Sequence, residues 1–354
     1  LKLVLQVVSD SPVLIQSGND KVYVATYDKD HVAIYTSLHN NAPEYRVVLS
    51  YDTAKQLLTH FNGGKIEVKD DVLNVSLGKS KASFSTIDEN ISLTSLTKKY
   101  SDENPIRIDP GEFRRLYAET VHSSNNKSIG DVRFQGFHLA HFGDSTEVMT
   151  TDGTVISLAT TPHQSPALDE PIIIINNPGF SKIPPALAGA KDLSLSISDD
   201  TLSLVAMFGD DEAFRVISSL VRGTPIGYQA VVERTRAANT SEYRISNAAF
   251  SEALTKVAYF SAGDENKEKI ILNIDKNVCT ISATNGKGST SLDVDLTPVD
   301  TKQEQWTIAT DRSYLHSYLK STKHEDITMR LGGDKLPMLF EAGTSTEIIS
   351  VKAT

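Results

Sequence analysis

One phrase occurs three times along the chain: Val24-Ala-Thr-Tyr-Asp28, Met149-Thr-Thr-Asp-Gly153 and Ser282-Ala-Thr-Asn-Gly286. Its central threonines, Thr26, Thr151 and Thr284, lie 125 and 133 residues apart in a chain of 354. A period that long is the length of a whole domain, so the chain reads as tandem copies of one domain.

The surroundings of each phrase repeat as well. Residues 12–16 and 21–26 flank Ser17-Gly-Asn-Asp20, residues 132–141 and 146–151 flank Phe142-Gly-Asp-Ser145, and residues 270–274 and 278–284 flank Asp275-Lys-Asn277. Alternating β-formers around Gly, Asn and Asp predict a hairpin in each case. A helical stretch and a second hairpin follow: residues 51–61, 179–191 and 311–320 precede strand pairs that begin near Lys65, Leu193 and Ile327. Helices also precede the first hairpins of copies two and three. Asp109-Pro110 opens one of them with a capping residue and a first-turn proline. Phe113, Leu116 and Tyr117 share a face there, as do Phe250, Leu254 and Val257 in copy three. In copy one the matching segment is residues 1–8, so that copy reads as shortened, its first strand missing.

The fold expected is α+β: three domains, each a doubled β-α-β-β-β unit with antiparallel sheets and two helices segregated to one side. The expected boundaries are 1–103, 104–234 and 235–354, with polar junctions at residues 98–104 and 233–241.

Composition narrows the function. Lys plus Arg is 35 and Asp plus Glu is 45, a formal net charge of −10, so the overall field repels polyanions and any nucleic-acid contact needs a local basic surface. Cys279 is the one cysteine, which excludes a disulfide framework, and its apolar surroundings read as a small buried hydrophobe. No stretch reaches the length of a membrane span, and no signal peptide is read at residues 1–8, so a cytoplasmic protein is expected.

The motifs of catalysis are weak. Asp210 and Asp211 would point to opposite faces of a strand, and they read better as a hairpin turn. Asn285-Gly-Lys-Gly-Ser-Thr290 lacks the phosphate-loop spacing and a following helix, so it reads as a plain loop. His138 and His141 fall on opposite faces of one strand, and no shared metal is expected. No nucleophile–base–acid set stands out, although such sets assemble in space.

Several phrases carry a resemblance to a known family. They are Asp131-Val-Arg-Phe-Gln-Gly-Phe-His-Leu139, Thr151-Asp-Gly153, and Ser219-Leu-Val-Arg-Gly-Thr-Pro225 with Tyr228. Residues 250–260, Tyr314-Leu315 with Tyr318-Leu319, Ile327-Thr-Met-Arg-Leu331 and Pro337 complete them. In order and spacing they resemble the bacterial-type DNA polymerase sliding clamp, the β processivity factor, over nearly the whole chain. The departures from the common motifs fit a diverged or phage-encoded member.

The resemblance implies a non-catalytic protein without cofactors. Two subunits join head to tail into a ring of six similar domains, sheets outside and helices around double-stranded DNA. A clamp loader opens the ring, and DNA polymerase is tethered at high effective concentration. It also implies a slot for a partner peptide, built from Phe134, Thr151, Gly153, Thr154, Val155, Ile156, Pro225, Tyr228, Val231, Pro337, Ile349 and Val351. The family's His-Arg after Asp-Gly is replaced here by Thr154-Val155, so a different peptide preference is expected. Phe84, Tyr259 and Phe260 are the implied contacts of the homodimer seam.

Charge gives a separate test. The five helical segments 51–61, 111–121, 179–191, 247–260 and 311–323 hold nine bases and five acids, so the rest of the chain carries −14. The nine bases are Lys55, Arg114, Arg115, Lys182, Lys191, Lys256, Arg312, Lys320 and Lys323; with the loop residues Lys127 and Lys267 they are the expected DNA-facing set. Such contacts would go to phosphates without regard to sequence. Two other readings stay open: a three-domain β-rich structural or adhesion protein with no DNA role, and a hydrolase using Asp210 and Asp211.

Overall fold

The computed structural model describes residues 1–41, 43–97, 105–124, 131–162, 172–175, 180–198, 200–221, 226–261 and 268–352. The first third of the chain contains α1 (Lys2–Val7), β1 (Val13–Gly18), β2 (Lys21–Tyr27), β3 (His31–Leu38), β4 (Tyr45–Leu49), α2 (Tyr51–His60), β5 (Lys65–Lys69), β6 (Val72–Leu77), β7 (Ser80–Ser85) and α3 (Leu93–Thr97). The second contains β8 (Ile106–Arg107), α4 (Pro110–Thr120), β9 (Gly136–His141), β10 (Ser145–Thr151), β11 (Val155–Pro162), β12 (Ile172–Ile175), α5 (Ile183–Ala186), β13 (Asp192–Ser198), β14 (Thr201–Met207), β15 (Glu212–Ser219) and α6 (Tyr228–Ala238). The third contains β16 (Ser241–Ser246), α7 (Asn247–Ser261), β17 (Lys269–Asp275), β18 (Val278–Asn285), β19 (Gly288–Asp300), β20 (Gln305–Asp311), α8 (Arg312–Ser321), β21 (Asp326–Leu331), β22 (Met338–Ala342) and β23 (Ser345–Ile349). Repeats two and three share one order, a strand and a helix, four strands, a helix and three strands. Repeat one opens directly on the helix α1.

The turns follow from residue type. Asn19 and Asp20 between β1 and β2, and Asp70 and Asp71 between β5 and β6, all have positive φ. That backbone suits two-residue hairpin turns, and Asn and Asp adopt it at low cost. Asp210 and Asp211 lie in the exposed turn between β14 and β15, as read from the sequence.

Four local expectations need correction. Residues 179–191 do not form one helix: a 3₁₀ turn at Phe180–Lys182 leads into the four-residue α5, where Pro184 and Pro185 remove donors and Gly189 turns left-handed at φ 87°. Residues 132–135 are a 3₁₀ turn rather than strand, because Asp131 accepts the Arg133 N–H at 3.0 Å and holds its guanidinium. Residues 233–238, taken as a junction, are the second half of α6. Asn285 to Gly288 is a hairpin turn rather than a longer loop, and β19 starts at Gly288. The other junction, at 98–104, lies outside the described residues.

Contacts group the chain into two compact units, which divide it differently from the three repeats. One unit comprises residues 1–114, 163–167 and 174–222. Its antiparallel sheet runs β4-β1-β2-β3-β15-β14-β13-β8, and β5-β6-β7 form a separate three-stranded sheet. The pairing of β3 with β15, His31 with Ser218 through Ser37 with Glu212, joins repeats one and two. Val13, Leu14, Ala25, Ala33, Val48 and Leu49 are buried in it.

The other unit comprises residues 115–162, 168–173 and 223–354. Its sheet runs β12-β9-β10-β11-β23-β22-β21-β16-β19-β18-β17-β20. The pairing of β11 with β23 joins repeats two and three, Val155 opposite Ile349 and Ser157 opposite Glu347. The largest core of this unit lies where α7 and α8 cover the sheet, with Phe250, Leu254, Val257, Leu315, Tyr318 and Leu319 packed on Ile270, Ile281, Ile308 and Phe340. Cys279 is fully buried there, and burial pushes its thiol up to about 12, so it is inert packing.

Candidate partner-binding site

The second unit brings most of the expected peptide-slot residues to the junction of β11 and β23. The turn from β10 into β11 is shaped by its own side chains. Thr151 Oγ1 donates to the Val155 carbonyl at 2.5 Å and accepts the Gly153 N–H at 3.0 Å. Asp152 Oδ1 accepts the N–H groups of Thr154 and Val155 at 2.8 and 3.0 Å. Gly153 sits at φ 90°, and a Cβ there would meet the Phe134 ring at 3.6 Å. Glycine is needed for the backbone, and Phe134 closes over it. The turn is also tied to repeat three. Tyr314 of α8 donates its hydroxyl to Asp152 Oδ2 at 2.6 Å, and Ser350 donates its N–H and hydroxyl to the Thr154 carbonyl at 3.2 and 2.7 Å. Burial and the Asp152 carboxylate push the Tyr314 phenol up, so it stays a donor.

From this turn β11 alternates. Ile156 and Leu158 face α6 and form a cluster with Met149, Leu339, Ile348, Tyr228 and Val232. Ile156, Ile226 and Val231 are only partly buried against it and leave an apolar rim. Tyr228 is buried, and its hydroxyl donates to Glu147 Oε1. An apolar patch with half-covered aliphatic side chains is what a few aromatic or aliphatic anchors of a peptide would fill.

The expected set therefore divides. Ile156, Tyr228 and Val231 meet in the cluster, and Phe134, Thr151, Gly153 and Thr154 build the turn that leads into it. Val155 and Ile349 are fully buried in the large core, and Val351 packs against that core. Pro337 is half-buried, with its carbonyl accepting from Asn239 Nδ2 at 2.9 Å. Pro225 lies outside the described residues. Sequence reasoning missed Met149, Leu158, Val232, Leu339 and Tyr314. The period-two alternation of β10 and β11 held the signal for Met149 and Leu158.

It also missed a polar cluster on the other face of the same strand pair. Glu347, with no exposed surface, accepts the Ser157 hydroxyl and lies 3.1 Å from His122 Nε2. Ser157 Oγ is 3.2 Å from that same Nε2. A hydrolytic triad needs its acid on the opposite ring nitrogen and its serine open to substrate. Here both partners crowd one nitrogen and Ser157 is fully buried, so the cluster is a structural network. His138 and His141 are buried too, bonded to the Arg133 carbonyl at 2.8 Å and to Thr146 Oγ1 at 2.9 Å. Among the described residues no group of three acids, histidines or cysteines could hold a metal.

The basic residues behave in two ways. In the first unit Lys55, Arg114, Lys182 and Lys191 are exposed. In the second, Lys256, Lys320 and Lys323 are exposed on or just beyond α7 and α8, with Lys256 paired to Glu252 at 2.6 Å. Arg115 and Arg312 are instead held inside the fold. Arg115 binds Glu119 at 2.7 Å, Thr344 Oγ1 at 3.0 Å and the Thr160 carbonyl at 2.8 Å; Arg312 binds Glu268 at 2.6 Å. Lys127 and Lys267 lie outside the described residues.

For the seam residues, Tyr259 is 60% exposed at the end of α7, its ring edge-on to Phe260 at 5.0 Å. The β18–β19 turn supports it, with Asn285 Nδ2 donating to the Tyr259 carbonyl at 2.9 Å and Lys287 Nζ 5.6 Å above its ring. In the first unit Phe84 is half-buried against Phe61 at 6.0 Å. Among the described residues β7 pairs with β6 alone, and residues 288–295 of β19 pair with β18 alone.

No family model and no curated protein sequence matches the chain. Solved structures do. A DNA polymerase sliding clamp from Pseudomonas aeruginosa superposes with a TM-score of 0.86 at 17% identity, covering 100% of this chain and 96% of that one. The DNA polymerase III beta subunit from Thermotoga maritima gives 0.84 at 14% identity, again covering 100% and 96%. A beta sliding clamp from C. crescentus gives 0.83 at 17%, with the same coverage. The chain has the sliding-clamp fold. The match spans all three repeats, so their order of strands and helices is that of the sliding-clamp fold. No described helix is long and apolar enough to cross a membrane.

Proposed function

We propose that this protein is a DNA sliding clamp, a tether rather than a catalyst. Two copies close head to tail around duplex DNA in the cytoplasm, a clamp loader sets the ring in place, and a polymerase docks through the apolar cluster beneath α6. In this reading the three repeats are the domains 1–103, 104–234 and 235–354. The observation that carries the proposal is the match to sliding clamps over the whole of this chain.

The chain's own residues support it. The open edge of β7 and the open edge of β19 would pair across two copies, which removes both free edges. Lys79 and Lys81 at β7 are exposed, and so are Asp293 and Asp295 on β19, so the pairing joins opposite charges. Tyr259, Phe260 and Phe84 would close the seam beside it. Seven exposed bases of the expected DNA set stand apart from the half-buried ion pairs that hold Arg115 and Arg312. They would contact phosphates, and added salt would weaken that contact.

Mass photometry with negative-stain electron microscopy tests the proposal. The expected result is a two-subunit particle with an open hole wide enough for a duplex. Phe260→Asp should turn it into a folded single subunit. A wild-type chain that stays single, or a particle with a filled centre, would reject the clamp in favour of a β-rich structural protein.

A further inference from the structure

A cavity of about 340 Å³ lies beside the apolar cluster in the second unit, between α6 and the strands β10, β11, β22 and β23. Tyr228 belongs to both: its ring packs in the cluster, and its hydroxyl reaches into the cavity to Glu147. The lining includes three carboxylates, Glu147, Glu233 and Glu341, and one cation, Arg236.

That cation is already committed. Arg236 binds Glu341 through Nε and a terminal nitrogen at 3.2 and 2.7 Å. The other oxygen of Glu341 is taken by Arg330 at 2.8 Å. Arg115, which touches the lining residues Thr160 and Thr344, is paired with Glu119. Among the described residues Glu147 has only neutral donors, the Tyr228 hydroxyl and Gln229. Burial pushes its carboxyl above the usual range despite those bonds. A half-buried carboxylate without a cation is an unfavourable arrangement that a bound positive charge would relieve. The hydroxyls of Thr160, Thr344 and Thr346 add acceptors around it, which suits a guanidinium with its five donors.

We infer that the peptide docked on the apolar cluster carries a basic residue, and that its charged end enters this cavity with Glu147 as counter-ion and Glu233 at the entrance. The inference rests on the peptide-binding reading of the cluster, and it names the chemistry of the partner: aliphatic or aromatic anchors next to arginine or lysine.

Fluorescence anisotropy with two synthetic peptides tests it. Both carry the same Leu and Phe anchors; one has Arg at both ends and the other Ala. The Arg peptide should bind at least tenfold tighter at low salt. Glu147→Gln, which keeps an acceptor for Tyr228, should cut that ratio below threefold. Glu233→Gln, at an exposed position, should reduce it less and serves if the first variant folds poorly. Equal binding of both peptides, abolished for both by Val231→Asp, would overturn the cationic subsite and leave the peptide slot standing. A ratio unchanged in both Gln variants would overturn it too. Binding of neither peptide would remove the slot and the subsite together.

Discussion

The two faces of the β11–β23 pair make unlike use of the same hydrogen-bonded backbone. Toward α6 stand Ile156, Leu158 and Ile348, covered by Tyr228 and Val232 and left with a partly open rim. On the other face stand Val155, Ser157, Glu347 and Ile349, all fully buried. Neighbouring residues in a strand point to opposite sides, so one position decides between a partly open apolar face and a sealed interior. A sealed interior must satisfy its polar groups internally; Ser157 and Glu347 do so through each other and His122 Nε2, while the buried His122 Nδ1 finds no partner among the described residues. An open apolar rim has no such demand and is free to take a partner. Binding and stability should therefore be separable, one on each face.

The largest effect is expected on the sealed face. Glu347→Ala removes the carboxylate that the Ser157 hydroxyl and His122 Nε2 share in a fully buried site, and should cost roughly 3 kcal/mol of unfolding free energy. Urea denaturation measures it, and a loss under about 1 kcal/mol would mean the cluster is not what holds β23 to β11.

The complementary change is on the open face. Val231→Asp places a charge in the apolar rim, and peptide affinity should fall at least tenfold, about 1.4 kcal/mol. The unfolding midpoint should hardly move, because the residue is only partly buried. A stability loss as large as that of Glu347→Ala would erase the distinction between the faces.

Acidity should act on the sealed face in turn. Burial raises the Glu347 carboxyl above its ordinary 4.5, with His122 and Ser157 pulling it back. The folded chain thus keeps a proton that the unfolded chain releases once pH exceeds 4.5. The stabilisation is complete below that pH and is lost as pH rises through the folded value, by at most ~1.4 kcal/mol per pH unit. Denaturation curves from pH 4.5 upward should show this slope, and Glu347→Gln should flatten it. Identical slopes in the two proteins would assign the effect to other groups.

The smallest effect is expected at the turn that links the faces. Tyr314→Phe removes the hydroxyl bond to Asp152 and should cost about 1 kcal/mol. Because Asp152 keeps its bonds to Thr154 and Val155, the turn should survive and peptide affinity should fall only a few-fold. Isothermal titration would show whether the change exceeds tenfold, which would make Tyr314 part of the docking surface.

Much of the fold was legible because its signals are local. Asn19-Asp20 and Asp70-Asp71 mark their own turns. Phe113, Leu116 and Tyr117 mark the buried face of α4. The spacing of Thr26, Thr151 and Thr284 marks the repeats. Where local signals conflict or are absent, the reading failed. Pro184 and Pro185 break a stretch that otherwise patterns as helix. At the start of α6, Gly227 gives no side-chain cap, and Glu233, Arg234 and Arg236 look like a linker. The charge count could not see that Arg115 and Arg312 are held by Glu119 and Glu268 within the fold.

The candidate site was legible by residue type and only half legible by place. Ile156, Val155 and Ile349 are all aliphatic strand residues, and nothing in their identity says which face looks outward. That depends on pairing β11 with β23, residues some 190 positions apart in the chain, and on α6 covering one side. The same pairing sets Glu347 beside Ser157 and His122, and Glu147 beneath Tyr228. By itself the sequence determined the repeated order of strands and helices, because turns, caps and periodicity act within a few residues. Only the tertiary structure decided which charges are spent, which carboxylates meet only neutral donors and which apolar side chains are left open, because those outcomes depend on contacts between segments that the chain keeps far apart.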